Sequence, residues 1–175
     1  LESLRPVNMV ISPGPGHPLT DAGISLACIK HFGGQIPILG ICMGLQCMTV
    51  AFGGVVSGAG EIFHGKTSMM QHDGCGLFAG LSTSVPITGT RYHSLCAQID
   101  AVPDVLRETA HVDSGVVMGL RHKTYTIEAV QYHPESVMSE YGHEMVRNFL
   151  SWHGGTWAEN PHVLNTPASA GPSTS

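Results

Sequence analysis

Apolar positions along the chain fall into short runs broken by Gly- and Pro-bearing stretches. Residues 8–12 (NMVIS) predict a short buried strand. Beyond a Pro/Gly loop, a helix is expected over 21–32, with Thr20 as its N-cap and Gly33-Gly34 as its stop. A second apolar strand is expected over 36–41, then a helix over 43–52 that ends at Gly53-Gly54. Residues 55–90, rich in Gly, Ser and Thr, read as strands and turns, and the β-branched and aromatic run 124–132 (TYTIEAVQY) reads as a strand. A helix over 140–152 would carry Tyr141, Met145, Phe149 and Trp152 along one side. From Gly154 the composition turns small, polar and Pro-containing, so 1–153 is expected to form one domain and 154–175 a tail or interdomain linker. Strands alternate with helices at both ends of the folded part, which places the chain in the α/β class.

Composition narrows the functions. A chain of 175 residues with 42% hydrophobic residues supports one domain with a core. Charged residues make up 12% and the net charge is -5; eight Lys and Arg without a cluster speak against nucleic acid or an anionic membrane as partner. No apolar run approaches the roughly 20 residues of a membrane span, and no signal peptide opens the chain. The five cysteines (28, 42, 47, 75, 96) are odd in number and form no C-x-x-C pair, as expected of a reducing compartment, most simply the cytoplasm. The 11 histidines show no metal-site spacing, so neither a metal nor a cofactor is expected. The sequence opens Leu1-Glu2-Ser3 without methionine, which reads as a fragment or a processed product.

One stretch cannot be reduced to packing. Gly40-Ile41-Cys42-Met43-Gly44 is G-x-C-x-G between an expected strand and an expected helix, the thiol form of a nucleophile elbow. Small residues are needed two positions either side because the chain folds back on itself. The helix N-terminus is expected to lower the thiol pKa, and Gln46 falls on the same helical face as Cys42. On the elbow alone, a buried core cysteine competes equally; Cys28, Cys47, Cys75 and Cys96 lack this framing and read as packing residues.

A reactive thiol needs a base and a group to orient it. His133-Pro134-Glu135 follows the strand ending at Tyr132, and residues two apart in extended chain point the same way, so Glu135 can hold the His133 ring. Alone, the triplet reads equally as a surface turn. Oxyanion donors are expected from the Met43 amide and from the loop Ser12-Pro13-Gly14-Pro15-Gly16-His17-Pro18, where the prolines leave only Gly14, Gly16 and His17 to donate. A phosphate loop is the rival reading, but its Lys-Ser/Thr ending is missing; a plain tight turn is the simplest.

These three stretches, in this order, resemble the class I glutamine amidotransferases over about residues 7–150. Within that superfamily HGKTS (64–68), RYHSL (91–95) and YHPESVMSEYGHEMVRNFL (132–150) resemble the glutaminase component (component II) of anthranilate synthase; the aminodeoxychorismate component of the folate pathway shares much of the pattern. The resemblance implies an open, mostly parallel sheet with flanking helices, and a further strand and helix ahead of Val7 that this sequence does not contain. It implies hydrolysis of glutamine, with Cys42 as nucleophile, His133 as base and then acid, and Glu135 as its orienter. It also implies Gly14, Pro15 and Gly16 as the glutamine loop, with Gly16 and Met43 at the oxyanion, and Gln46, Ser94 and Leu95 at the substrate's amino-acid end. The implied partner is a chorismate-binding synthase, anthranilate synthase component I, that accepts the ammonia. GGTW (154–157) and the linker after it resemble a fungal fusion to indole-glycerol-phosphate synthase and phosphoribosylanthranilate isomerase. Two other readings stand beside this one: a catalytically silent module and a γ-glutamyl hydrolase-like enzyme. Met69-Met70 falls where smaller or polar residues are expected.

Overall fold

The computed structural model describes residues 1–60 and 65–164. A seven-stranded sheet runs in the order β1 (Met9–Ile11), β2 (Ile38–Ile41), β9 (Ile127–Val130), β8 (Val117–His122), β7 (Leu106–His111), β4 (Lys66–His72), β5 (Ile87–Arg91). A two-stranded ribbon pairs β3 (Val56–Gly58) with β6 (Leu95–Ala97). The helices are α1 (Ser25–Phe32), α2 (Met43–Ala51), α3 (Gly142–Ser151) and a short α4 (Pro161–Leu164).

The α/β class and flanking helices match expectation, but the sheet is mixed rather than mostly parallel. Only β1–β2 and β2–β9 pair in parallel; β9–β8, β8–β7, β7–β4 and β4–β5 are antiparallel. Parallel neighbours need a long crossover, and the chain supplies helices for that at α1 and α2. Between β3 and β9 it supplies only turns and single 3-10 turns, so those strands return on themselves. β2, β8 and β9 are buried along their whole length because apolar clusters cover both faces. One cluster joins α1 and α2 to β1, β2 and β9 through Phe32, Leu45 and Met48. The other joins α3 and the C-terminal segment through Phe149, Trp152 and Trp157.

Several element boundaries move for identifiable reasons. α1 begins at Ser25, not at 21, because Asp21 accepts hydrogen bonds from the His17 amide (2.8 Å) and the Thr20 hydroxyl (2.7 Å) and so closes a turn instead of opening a helix. β9 starts at Ile127 because the His122 Nδ1 accepts the Thr124 and Tyr125 amides (3.0 and 2.8 Å) and bends the chain there. α3 starts at Gly142: the Glu140 amide bonds Thr88 O (2.9 Å) and Tyr141 is left-handed at φ 57°. Met145, Phe149 and Trp152 face the core as expected, whereas Tyr141 is exposed. Met70 is buried against the space left by Gly89, while Met69 points outward, the ordinary alternation of a strand.

Two features escape composition. Arg121 is buried and ion-paired to Glu128 (2.9 Å) and Asp73 (2.7 Å). It also donates to Cys75 O (2.6 Å), while Glu128 accepts the Leu77 amide (3.1 Å). The segment beyond Gly154, read from composition as tail, packs on the body as far as Leu164. Trp157 and Val163 join the core, and Asn160, fully buried, bonds His153 and Thr156 through its side chain. The rest of the expected tail, 165–175, and His64 of the HGKTS stretch lie outside the described residues. Among the described residues no helix is long and apolar enough to cross a membrane.

Trp157 stacks edge-on against Trp152 (4.9 Å between centroids) and donates its indole N–H to His122 O (2.6 Å). Trp157→Ala is expected to destabilise the protein by about 3–5 kcal/mol, read as a lower urea midpoint.

Candidate active site

The elbow is built by a close approach between a strand and the helix that follows it. β2 lies between β1 and β9, with Gly40 opposite Ile11 on one side and Ala129 on the other. A Cβ on Gly44 would stand 2.4 Å from Ile11 O, and one on Gly40 would stand 2.7 Å from the Gly44 backbone and 2.8 Å from the Ala129 Cβ. The chain can therefore turn from β2 into α2 within one residue only if both flanking positions lack side chains. That residue is Cys42, at φ 53°, ψ -101°, a left-side conformation that costs a non-glycine residue of order 1–3 kcal/mol. Its amide is pinned to Val130 O (2.8 Å) and its carbonyl accepts the amides of Leu45 and Gln46.

His133 and Glu135 sit on the chain leaving β9. The His133 amide bonds Thr90 O on β5 (2.8 Å), where an isolated bridge curls the far edge of the sheet back to this loop. Ser139 locks the arrangement, donating its hydroxyl to His133 O and accepting the Thr90 amide (3.0 Å). The His133 Nδ1 lies 2.7 Å from Glu135 Oε1. A carboxylate can only accept, so Nδ1 carries the proton and Nε2 presents a lone pair. Nε2 is buried and without a hydrogen-bond partner among the described residues. It makes no hydrogen bond to Cys42 in this state; the Tyr92 ring packs edge-on against His133 (5.3 Å) and the Tyr92 carbonyl accepts from the Cys42 sulfur at 3.9 Å.

A cavity of about 260 Å³ opens at Cys42. Gly14, Pro15, Gly16, Gln46, Ser94 and Leu95 all line it, so the structure brings together every residue expected to bind substrate. Its volume lies just below the range of about 300–1,000 Å³ typical of ligand sites and suits a small amino acid. In the glycine loop, Gly16 sits at φ 92° with its Cα against Asp21, which no side chain could share. The His17 amide, expected among the oxyanion donors, is spent on Asp21, which leaves Gly14 and Gly16.

The expected lowering of the Cys42 pKa is overturned. Burial pushes the thiol up to about 11; the Met43 amide and the Gln131 side chain pull it down, the Glu135 charge adds to the rise, and desolvation wins. The helix N-terminus is not strong enough to hold a bare thiolate in so dry a site. Cys47 is likewise pushed up to about 11 by burial.

Three residues at the site carry no motif. Tyr92 and His93 line the cavity beside Cys42. His93 is the rival for the role of base, and its bonding excludes it. Arg91 Nε donates to His93 Nε2 (3.0 Å), so Nδ1 must carry the proton and donate to Leu95 O (2.9 Å). Burial and the Arg91 charge push its pKa down to about 4. Gln131, fully buried, reaches the Cys42 sulfur (3.7 Å).

A strained cysteine on a strand-to-helix turn, a carboxylate-held imidazole and a small cavity between them define a cysteine-dependent acyl-transfer class. The sequence matches the family Glutamine amidotransferase class-I over residues 2–152, and the chain belongs to that family. It is 52% identical over 170 residues to a multifunctional tryptophan biosynthesis protein of Schizosaccharomyces pombe, covering 97% of this chain and 22% of that one. It is 49% identical over 160 residues to anthranilate synthase component 2 of Pseudomonas putida, covering 89% and 79%. The chain thus spans about a fifth of the length of the S. pombe relative. Among solved structures, a GMP synthase protein of Thermoplasma acidophilum is 28% identical with a TM-score of 0.71, over 82% of this chain and 70% of that one.

Alkylation of Cys42 by iodoacetamide, followed on its own peptide by mass spectrometry, is expected to rise about tenfold per pH unit from about pH 7.5 toward the thiol pKa of about 11. A plateau near pH 8 would contradict the burial argument.

Proposed function

We propose that this chain hydrolyses glutamine through a Cys42 thioester and passes the ammonia to a chorismate-binding synthase for anthranilate formation in tryptophan biosynthesis. The observation that carries the reading is the convergence on one cavity of Cys42 with Gly14, Pro15, Gly16, Gln46, Ser94 and Leu95. The names of the relatives favour anthranilate over aminodeoxychorismate as product.

In this mechanism the Cys42 sulfur attacks the side-chain amide carbon of glutamine while its proton passes to His133 Nε2. Glu135 holds the His133 tautomer with Nε2 unprotonated until then. The oxyanion meets the amides of Met43 and Gly16, supported by the Gly14–Gly16 loop. His133 returns the proton to the departing nitrogen, ammonia leaves, and the same imidazole activates water to release glutamate and restore the thiol. Because the resting sulfur is a thiol, proton transfer and attack are coupled, and the chemistry waits for substrate to bring His133 and Cys42 into line. Ammonia at neutral pH is mostly protonated, so it must leave by a shielded path.

The face proposed for the synthase borders Glu135. A hollow of about 490 Å³ lies there, lined by Glu135, Val137 and Val146 among others. Val137 is 98% exposed, and Met138 and Tyr141 are half exposed beside it. Apolar side chains left in water next to a catalytic loop are what a docked partner would cover. Glu140, also at this edge, is engaged: its carboxylate accepts the Thr88 amide (2.6 Å) and it braces the loop from within. In the longer relatives this reading includes fusion to indole-glycerol-phosphate synthase and phosphoribosylanthranilate isomerase.

In the full-length chain with its synthase, Cys42→Ser is expected to abolish glutamine-dependent anthranilate while leaving ammonia-dependent synthesis intact. His133→Asn should lower glutamate release by roughly 10²–10⁴-fold. Undiminished glutamate release by Cys42→Ser would sink the mechanism. Val137→Asp should weaken glutamine-dependent synthesis but leave the basal glutaminase rate unchanged; equal loss of both would move the docking face elsewhere.

A further inference from the structure

A chain of amides leads from the cavity wall to the sulfur. Gln46 Nε2 donates to Leu95 O (3.2 Å) and to Gln131 Oε1 (3.4 Å). Leu95 O is itself held by His93 Nδ1, and His93 by Arg91. Gln131 has its carbonyl turned to Gln46, so its N–H₂ is aimed the other way and lies 3.7 Å from the Cys42 Sγ. Its backbone is fixed as well, the amide bonding Met118 O on β8 (2.9 Å). A buried side-chain amide in a pocket this apolar needs partners for both ends. One of the partners here is a sulfur that carries charge only during turnover.

We propose that Gln131 is a catalytic residue for the proposed glutaminase reaction, donating its amide N–H to the Cys42 sulfur whenever that sulfur is anionic and using its carbonyl to keep Gln46 in place at the cavity wall. The inference rests on the reading of Cys42 as nucleophile. The sulfur is anionic as it attacks and again as the thioester is cleaved, when the carbon–sulfur bond breaks and the electron pair returns to sulfur. A donor fixed there beforehand stabilises those states without reorganisation. Resting thiol gains little from it, so the contact is long at rest and expected to tighten with charge. The other titratable and charged groups around the sulfur are His133 and Glu135 on the loop after β9, and His93 with Arg91 on the segment leaving β5. Glu135 opposes charge on the sulfur, His93 is occupied by Arg91 and Leu95, and His133 is the proton acceptor. Gln131 is therefore the side chain at this site that favours the anion without exchanging a proton with it.

Two substitutions separate donation to sulfur from support of Gln46. Gln131→Met keeps the length and removes both polar ends. Gln131→Glu keeps an acceptor for Gln46 and removes the N–H₂. The full-length chain is assayed for glutamate release and for pH-dependent alkylation of the Cys42 peptide by iodoacetamide, with circular dichroism to show that each variant is folded. The expected result is that both variants shift the alkylation profile upward by about one pH unit, a tenfold loss of rate at fixed pH, and lower kcat about 10–100-fold while KM moves less than about threefold. An unchanged alkylation profile in folded Gln131→Met, or a loss confined to KM, overturns the proposal. So does a Gln131→Glu that behaves as wild type, since that assigns the residue only to holding Gln46. Cys42→Ser tells the two readings apart: if it keeps glutaminase activity the nucleophile assignment fails, and any shift in the profile then has no catalytic meaning. If Cys42→Ser is inactive and Gln131→Met is normal, the mechanism stands and this inference alone falls.

Discussion

Everything at the site depends on how closely β2, α2 and β1 approach one another. Gly44 lies where a single added carbon would meet Ile11 O at 2.4 Å, and this contact fixes the direction in which the chain leaves the sheet. Cys42 is forced to a positive φ as a result, and its sulfur is directed toward the cavity, away from the β2–β9 interface. The strain is retained because the surroundings over-determine it: the Cys42 amide is held by Val130 O, and α2 is buried along most of its length. The same packing that presents the sulfur also dries it, and the dry surroundings keep it a thiol. Exposure of a nucleophile and its activation are separate problems in this fold. The elbow solves the first and leaves the second to neighbours that arrive with the substrate or sit beside it.

Those neighbours come from opposite ends of the sheet. His133 follows β9, in the parallel half; Thr90, which holds its backbone, lies near the end of β5 at the far antiparallel edge. The antiparallel half is thus more than an appendage to the parallel core. By curling round it returns Arg91, Tyr92, His93, Ser94 and Leu95 to the mouth of β2 and closes the cavity opposite the glycine loop. A flat continuation of the parallel half would leave Cys42 open on that side.

The parts of this arrangement that were legible in the sequence are the contiguous ones. G-x-C-x-G, His133-Pro134-Glu135 and the Gly14–Gly16 loop each hold their chemistry within a few residues, so spacing alone reveals them. The α/β class was legible too, because apolar runs and helix stops alternate. The antiparallel half was not: strand direction is decided by the length of the connections, and 55–90 gave no clear element boundaries. Asp21 looked like the first turn of a helix because its chemistry fits that role equally well; only the fold shows it spent on His17. Gln131 and His93 were invisible for a different reason. Their partners at the site are set by the fold, 89 positions away for Gln131 and Cys42, and a polar residue in a strand carries no local mark of a buried role. Arg91, Arg121 and Glu128 counted as ordinary surface charge in the composition, yet all three are buried. Trp157 and Val163 were absorbed into a segment whose average composition is that of a linker, although two or three apolar side chains suffice to fix a short piece of chain to a core.

The ion cluster at Arg121 has a consequence for how the molecule comes apart. It ties Asp73 and the turn at Cys75 and Leu77 to β8 and, through Glu128, to β9, while Trp157 lies over the guanidinium at 5.9 Å. Withdrawing any one of these leaves a charge or a donor stranded in a dry interior, a penalty several times the net worth of the bond itself. Such a cluster does not loosen by degrees. The C-terminal segment, the 73–77 turn and the two central strands are therefore coupled into one cooperative unit, in which local opening is suppressed until the whole unit opens. β9 ends at Val130 and belongs to that unit, and the loop that carries His133 begins directly after it. The mobility of the catalytic imidazole is thus bounded on one side by a part of the molecule that moves only when the protein unfolds.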